Sequence, residues 1–169
     1  MSVSAPPPCL LDANVFIEAC NRYYAFDIVP AFWRKLVELA SNGRVLSIDR
    51  VKDELQQPVA LNQWANGSFH NWFASTNEND IIQAYAAIMQ WAQGQTQYLA
   101  AAKEEFARAT NADPWLVAYA QVKGLVVVTH EVLNATIKRK IPIPNVCVAF
   151  GVQYMDSFAM LRVLQVTLA

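Results

Sequence analysis

The chain has 169 residues, 54% of them hydrophobic and 16% charged, with a formal net charge of -1. That length and apolar content suffice for one domain with a real core, and they exclude a disordered chain. The near-zero charge excludes a global positive field, so any nucleic acid has to be held by a local patch.

The opening "MSVSAPPP" has no basic region followed by an apolar one. It reads as a loose tail over residues 1–9 and not as a signal peptide. Residues 10–169 are expected to form a single domain. No apolar run approaches the roughly 18 residues of a membrane span. Three cysteines at scattered positions, Cys9, Cys20 and Cys147, argue against a disulfide framework and against a thiolate zinc site. They read as buried apolar fillers. A cytoplasmic location with no membrane contact is expected.

In chain order, "CLLDANVF" reads as a strand running into a turn. "PAFWRKLVELASNG" reads as a helix, with Pro30 early, Phe32, Leu36 and Leu39 on one face and Gly43 at the stop. "RVLSI" is a second strand and "DRVKDELQQ" a short helix, with Asp49 as candidate N-cap and Pro58 beyond its end. Residues 58–110 are helix-rich: "DIIQAYAAIMQWAQ" and "QYLAAAKEEFARA" are strong helix formers joined at Gly94. "NQWANGSFHNWF" reads as a short helix and a loop. "ADPWLVAYAQVKG" carries Asp113 as candidate N-cap, Pro114 at the first helical position and Gly124 at the stop. "LVVVTHE" is an apolar strand of the kind buried on both faces in a parallel sheet. "KIPIPNVCVAFGV" is a Pro-bounded connection into a short helix. "VQYM" is a last strand and "DSFAMLRVLQV" a closing helix capped by Asp156. Strands alternating with helices predict an α/β sandwich on a mainly parallel sheet.

On this reading the acids form a pattern. Asp12 falls at the end of the first strand and Glu131 directly after the strand "LVVVTH". Glu54 sits on the helix after "RVLSI", and Asp113 opens the helix leading into the apolar strand. In open α/β sheets, ligands bind beyond the carboxyl ends of the strands. Each acid also has a plainer role: Asp12 as a cap of the turn, Asp113 as a helix start, Glu54 as a solvated residue beside Lys52, Glu131 as a polar strand end. Converging carboxylates repel unless a cation sits among them. Oxygen-only ligands favour Mg²⁺ or Mn²⁺ over zinc. Such a site suits in-line displacement at a phosphodiester without a Ser, Cys or His nucleophile.

The phrases "LLDANVFIEA", "RVLSIDRVKDEL", "ADPWLVAYA" and "LVVVTHE" stand in the order found in PIN-domain proteins, which the chain resembles from Leu10 to Leu164. It is more closely similar to a largely uncharacterised PIN-like family, sharing "YYAFDIVPAFW", "SIDRVKDEL", "KIPIPNVC" and a closing helix like "DSFAMLRVL". The resemblance implies a three-layer α/β/α sandwich with a mainly parallel central sheet and a helix-rich middle segment. It also implies an endoribonuclease that uses Mg²⁺ or Mn²⁺, many relatives being toxins of toxin–antitoxin pairs. Carried over, Asp12, Glu54 and Asp113 match the first three acids. Asn14 matches the small polar residue two positions after the first, and Thr129 the hydroxyl residue that supports the acids. Ala118 and Ala120 match small residues on the Asp113 helix. One departure stands at the fourth acid: many PIN domains read Thr, any residue, Asp, whereas here Thr129 and His130 precede Glu131. The longer glutamate is expected to support the metal site.

The resemblance further implies an RNA substrate, an antitoxin partner laid over the site and a homodimer. Arg50 and Lys52, near Glu54, and the run Lys138, Arg139 and Lys140 are candidate phosphate contacts for single-stranded or looped RNA. The tryptophans Trp64, Trp72 and Trp91 are expected to pack the helical half. Two other readings remain: a PIN-like module that binds RNA or protein without cleaving, and a haloacid-dehalogenase-like phosphatase. The phosphatase wants an Asp at the position of Asn14.

Overall fold

The computed structural model describes residues 4–169. Five short strands form the sheet: β1 (Cys9–Leu11), β2 (Val45–Ile48), β3 (Phe73–Ala74), β4 (Val126–Val128) and β5 (Tyr154–Met155). Their order is β3-β2-β1-β4-β5 and every neighbouring pair is parallel. Leu10 faces Leu46 on one side and Val127 on the other. The chain builds outward from β1 to β3, then returns to place β4 on the opposite side of β1. With right-handed crossovers this puts helices on both faces of the sheet. The reversal between β1 and β4 is the switch point, where such folds open a crevice at the strand ends. Every residue of β1 and β4 is buried, as the apolar run around "LVVV" predicts.

The helices follow the expected order. They are α1 (Ala13–Glu18), running into a π-helical turn at Ala19–Tyr23, then α2 (Pro30–Ser41), α3 (Asp49–Glu54), α4 (Val59–Asn66), α5 (Asn79–Gly94), α6 (Ala100–Phe106), α7 (Asp113–Lys123), α8 (Ile143–Phe150) and α9 (Ser157–Val163). Asp156 caps α9 as expected, its Oδ1 accepting from the Ala159 N–H at 2.7 Å. Gly124 ends α7 in the left-handed region at φ 69°, a conformation glycine adopts without a Cβ penalty. Cys9 and Cys147 are buried and Cys20 is half-buried, all three unbridged. Among the described residues, no helix is long and apolar enough to cross a membrane.

Three local expectations are corrected. The tail expected over residues 1–9 ends earlier: Cys9 is 2% exposed and pairs with Val45 and Val126, because its backbone completes the ladder of β1. The first three residues of that tail lie outside the described residues. The segment around "FHNWF" is a 3-10 turn (His70–Trp72) followed by β3 and not a plain loop. A two-residue strand carries no periodicity to read. Asp49 is the first residue of α3 and not its cap. Its carboxylate instead accepts from the Thr76 N–H at 3.1 Å and the Thr76 hydroxyl at 2.9 Å, which fastens the chain after β3 to α3.

Candidate active site

The site grows from the end of β1. Asp12 stands between β1 and α1, with its N–H donated to the Val128 carbonyl at 3.0 Å. Its side chain caps α1 through Oδ1, which accepts from the Ala13 N–H at 2.7 Å. The other oxygen, Oδ2, accepts from the Thr129 hydroxyl at 2.9 Å. Both readings of Asp12 therefore hold at once: it is a helix cap and a carboxylate at the sheet edge. Asp12 is only 4% exposed and Thr129 1%. Asn14, in the first turn of α1, accepts from the His130 N–H through Oδ1 at 3.2 Å and reaches the Thr129 hydroxyl through Nδ2 at 3.5 Å. Asn14 and Thr129 thus brace Asp12 across the switch point.

Asp113 does not act as an N-cap. The cap position of α7 is Ala112, and the side chain that caps this turn belongs to Asn111, whose Oδ1 accepts from the Asp113 N–H at 2.9 Å. The Asp113 carboxylate is left without a hydrogen-bond partner among the described residues, although it is half-buried. Glu54, the last residue of α3, accepts from the Ala112 N–H through Oε1 at 3.1 Å and so ties α3 to the start of α7. Glu131 has both oxygens engaged. Oε2 accepts from the Ile143 N–H at the start of α8 at 2.8 Å, and Oε1 is paired with the Lys140 ammonium.

The electrostatics show that the four acids share one neighbourhood. Burial pushes the Asp12 carboxyl up to about 7, with the charges of Glu131 and Glu54 adding to it; the bonds from Thr129 and Ala13 oppose this. Asp113 is held well above the usual carboxylate range, first by burial and then by Asp12, Glu131 and Glu54, with Lys140 opposing. Glu54 keeps an accessible surface, yet the protein packed about its carboxyl raises its pKa, while the Ala112 bond pulls it back. Burial of Lys140 disfavours its charge, but the bond to Glu131 and the charges of Glu131, Asp113 and Asp12 outweigh that and raise its pKa.

A divalent cation fits this donor set in a specific way. Among the described residues, no three His, Cys, Asp or Glu side chains are gathered closely enough to hold a metal ion as a closed cage. Zinc of the structural kind, which wants four protein ligands, does not fit. Mg²⁺ takes one or two carboxylates and keeps several waters. Buried Asp12 and half-buried Asp113, the latter repelled by the former, are the carboxylates that would suit that arrangement.

A cleft of about 300 Å³ adjoins the acids, with Glu54, Asp113 and Lys140 in its wall beside Arg108, Thr110 and Asn111. Arg108 and Asn111 were not legible as site residues, since nothing in "ARATNAD" marks them before α6 and α7 are placed. Of the expected phosphate contacts, Lys140 is in the cleft and Lys138 and Arg139 are exposed nearby in sequence. Arg50 lines a second opening with Glu54, but its guanidinium is already engaged. It donates to the Thr76 hydroxyl and the Ala109 carbonyl, both at 3.3 Å, and lies 4.4 Å from the centre of the Trp115 ring. Lys52 contacts His70 Nδ1 at 3.0 Å. His130 turns away from the acids toward the Ser157 hydroxyl, 3.1 Å away, and packs with Tyr23 and Phe158.

Comparison with known proteins agrees with the fold. A family model described as "Domain of unknown function (DUF4411)" matches residues 9–168. No curated protein matches the sequence. Among solved structures, the chain is similar to FitAcB from Neisseria gonorrhoeae, at 17% identity and a TM-score of 0.52, covering 87% of this chain and 96% of that one. It is also similar to VapBC2 from Rickettsia felis bound to a DNA fragment from their promoter, at 13% identity and a TM-score of 0.51, covering 88% and 97%. A third, FitAB bound to an IR36 DNA fragment, has 18% identity and a TM-score of 0.51, covering 88% and 94%. The fold is PIN-like, as the sequence resemblance implies.

Proposed function

We propose that this chain, which belongs to the DUF4411 family, is a Mg²⁺- or Mn²⁺-dependent endoribonuclease of the PIN type and the toxin of a toxin–antitoxin pair. One observation carries the reading: burial and neighbouring carboxylates raise the pKa of both Asp12 and half-buried Asp113 at the switch point of a parallel sheet, Glu131 and Glu54 acting on both and Asp12 on Asp113. A fold that held these acids for stability alone would pair each with a donor or a cation. Asp113 has no such partner among the described residues, and its carboxylate lines an open cleft.

In this reading Asp12 and Asp113 would hold the cation directly and Glu54 through water, with Glu131 beside them. Once bound, the cation supplies positive charge for a phosphodiester undergoing displacement and favours ionised water. The chain's own residues do the positioning. Thr129 fixes Asp12 Oδ2, Asn14 fixes the turn after β4, and Glu54 fixes the entry to α7. Lys138, Arg139, Lys140, Arg50 and Lys52 are the candidate RNA contacts. An antitoxin partner, a homodimer and a cytoplasmic location belong to the same proposal.

Incubation of end-labelled single-stranded RNA with the purified chain tests it. Cleavage with Mg²⁺ or Mn²⁺, and none in EDTA or with Asp12→Asn or Asp113→Asn, is the expected result. Metal-independent cleavage, or full activity in both variants, would refute it. A second reading, a module that binds RNA or protein without cleaving, draws on one observation: both Glu131 oxygens are already engaged. RNA binding with no cleavage under any divalent cation would favour it.

A further inference from the structure

We infer that Lys140 is the site's own phosphate-binding cation, and that Glu131 is the residue that positions it instead of a metal ligand. The inference rests on the ribonuclease reading and names how that site takes hold of the RNA backbone.

The argument starts from Glu131. Its Oε2 is taken by the Ile143 N–H at 2.8 Å and its Oε1 by the Lys140 ammonium. Asp12 also has both oxygens hydrogen-bonded, but only by neutral donors, whereas the ammonium on Glu131 puts a positive charge where a metal ion would have to sit, so Glu131 is the poorer ligand. What it does instead is close the segment 131–142 on itself, from the end of β4 to the start of α8. That segment is fastened elsewhere as well. The Leu99 N–H donates to the Lys138 carbonyl at 2.9 Å, and the Gln97 side-chain amide to the Ile137 carbonyl at 2.7 Å. Asn145 holds Asn134 through both its N–H at 3.1 Å and its carbonyl at 2.8 Å. Lys140 is therefore presented by a braced loop.

Its position is also specific. Lys140 lines the same cleft as Glu54 and Asp113. Its side chain is 50% exposed, against 14% for Glu131, so the ammonium is reachable while its anchor is not. A lysine ammonium has three N–H donors. Glu131 uses one, leaving two for the non-bridging oxygens of a phosphodiester. An anionic backbone approaching four carboxylates needs a fixed positive charge, and Lys140 supplies one at the rim of the acids. Lys138 and Arg139 are exposed and make no side-chain hydrogen bond among the described residues.

The test uses the full chain carrying Asp12→Asn, a fluorescein-labelled single-stranded 12-residue RNA in EDTA, and anisotropy titrations over a range of KCl. Lys140→Ala should weaken binding about tenfold and lower the salt slope by about one contact, with Lys140→Arg restoring part of both. Lys138→Ala should cost about twofold. Glu131→Gln should weaken binding in the same direction, and the double variant should bind no worse than Lys140→Ala alone, as expected for two residues acting as one unit. In parallel, calorimetric titration of Mn²⁺ into the chain with native Asp12 should give Glu131→Gln an affinity within about twofold of the parent. Loss of Mn²⁺ binding in Glu131→Gln, or unchanged RNA binding in Lys140→Ala, overturns the inference and leaves the ribonuclease reading standing. A parent that binds no RNA in EDTA also overturns the inference, while the ribonuclease reading is decided separately by the cleavage assay with Mg²⁺ or Mn²⁺.

Discussion

Helix α1 joins two regions of opposite character. On one side Phe16 enters an aromatic wedge, its ring centre 5.7 Å from Phe69 and 5.9 Å from Trp64. Trp64 stacks on Phe69 at 4.9 Å, Trp33 meets Trp64 at 4.8 Å, and Phe26 stacks on Trp33 at 4.1 Å. Even the Trp33 indole N–H is satisfied, by the Tyr24 carbonyl. On the other side the same helix begins at Asp12, buried and repelled by neighbouring acids. Each large apolar side chain in the wedge contributes about 1.5–3 kcal/mol on burial, whereas the acids oppose the fold when they ionise. The wedge fixes α1 so that the carboxylate at its first turn cannot retreat from its neighbours. A rigid apolar body thus holds an unfavourable charge where a cation can relieve it.

That contrast can be broken at either end. Phe69→Ala, in the wedge, should cost about 3–5 kcal/mol and lower the melting temperature by roughly 10 °C, read by circular dichroism. Asp12→Asn, at the site, should do the reverse to the metal-free protein, raising its melting temperature at pH 8 because a buried charge is gone. The same variant should lose RNA cleavage by at least about 100-fold, equivalent to about 2.7 kcal/mol. If Asp12→Asn melts lower than the parent in EDTA at pH 8, the acid is stabilising and the contrast fails.

A change of pH sharpens the comparison without a mutation. The folded Asp12 pKa of about 7 lies above its ordinary value of 3.8, so the folded state holds the proton longer than the unfolded chain. Stability in EDTA should fall as pH rises from about 4 to about 7 and then level off. Asp113 and Glu54, both raised, act in the same direction. Adding Mn²⁺ should therefore raise the melting temperature more at pH 8 than at pH 5, as differential scanning fluorimetry would show. A smaller effect is expected at Asp49, which lies away from the acids and whose carboxylate holds Thr76. Asp49→Ala should cost about 1–3 kcal/mol through the lost bonds, read by urea denaturation.

The sequence displays the fold through its long signals. Pro30 and Gly43 bracket α2, Pro114 and Gly124 bracket α7, and the apolar run at "LVVV" marks a strand covered on both faces. β3 escaped because two residues have no period, and Asp49 was misread because a cap and a tertiary anchor use the same residue type. The acids were legible as strand-end and helix-start residues, and the structure brings all four into one electrostatic neighbourhood. Two things lay beyond sequence reading. Asn111, and not Asp113, caps the entry to α7, which leaves Asp113 unpartnered. The partners of Glu131, Lys140 and Ile143, are decided by how the loop 131–142 closes.

The most direct test of the central claim, that these acids await a divalent cation, is calorimetric titration of Mn²⁺ near pH 6.5 in buffers of different ionisation enthalpy. Because Asp12, with its pKa raised to about 7, holds a proton that a cation must displace, binding should release protons to the buffer, and the release should diminish in Asp12→Asn. Binding without proton release, or no binding to the wild-type chain, would contradict the account.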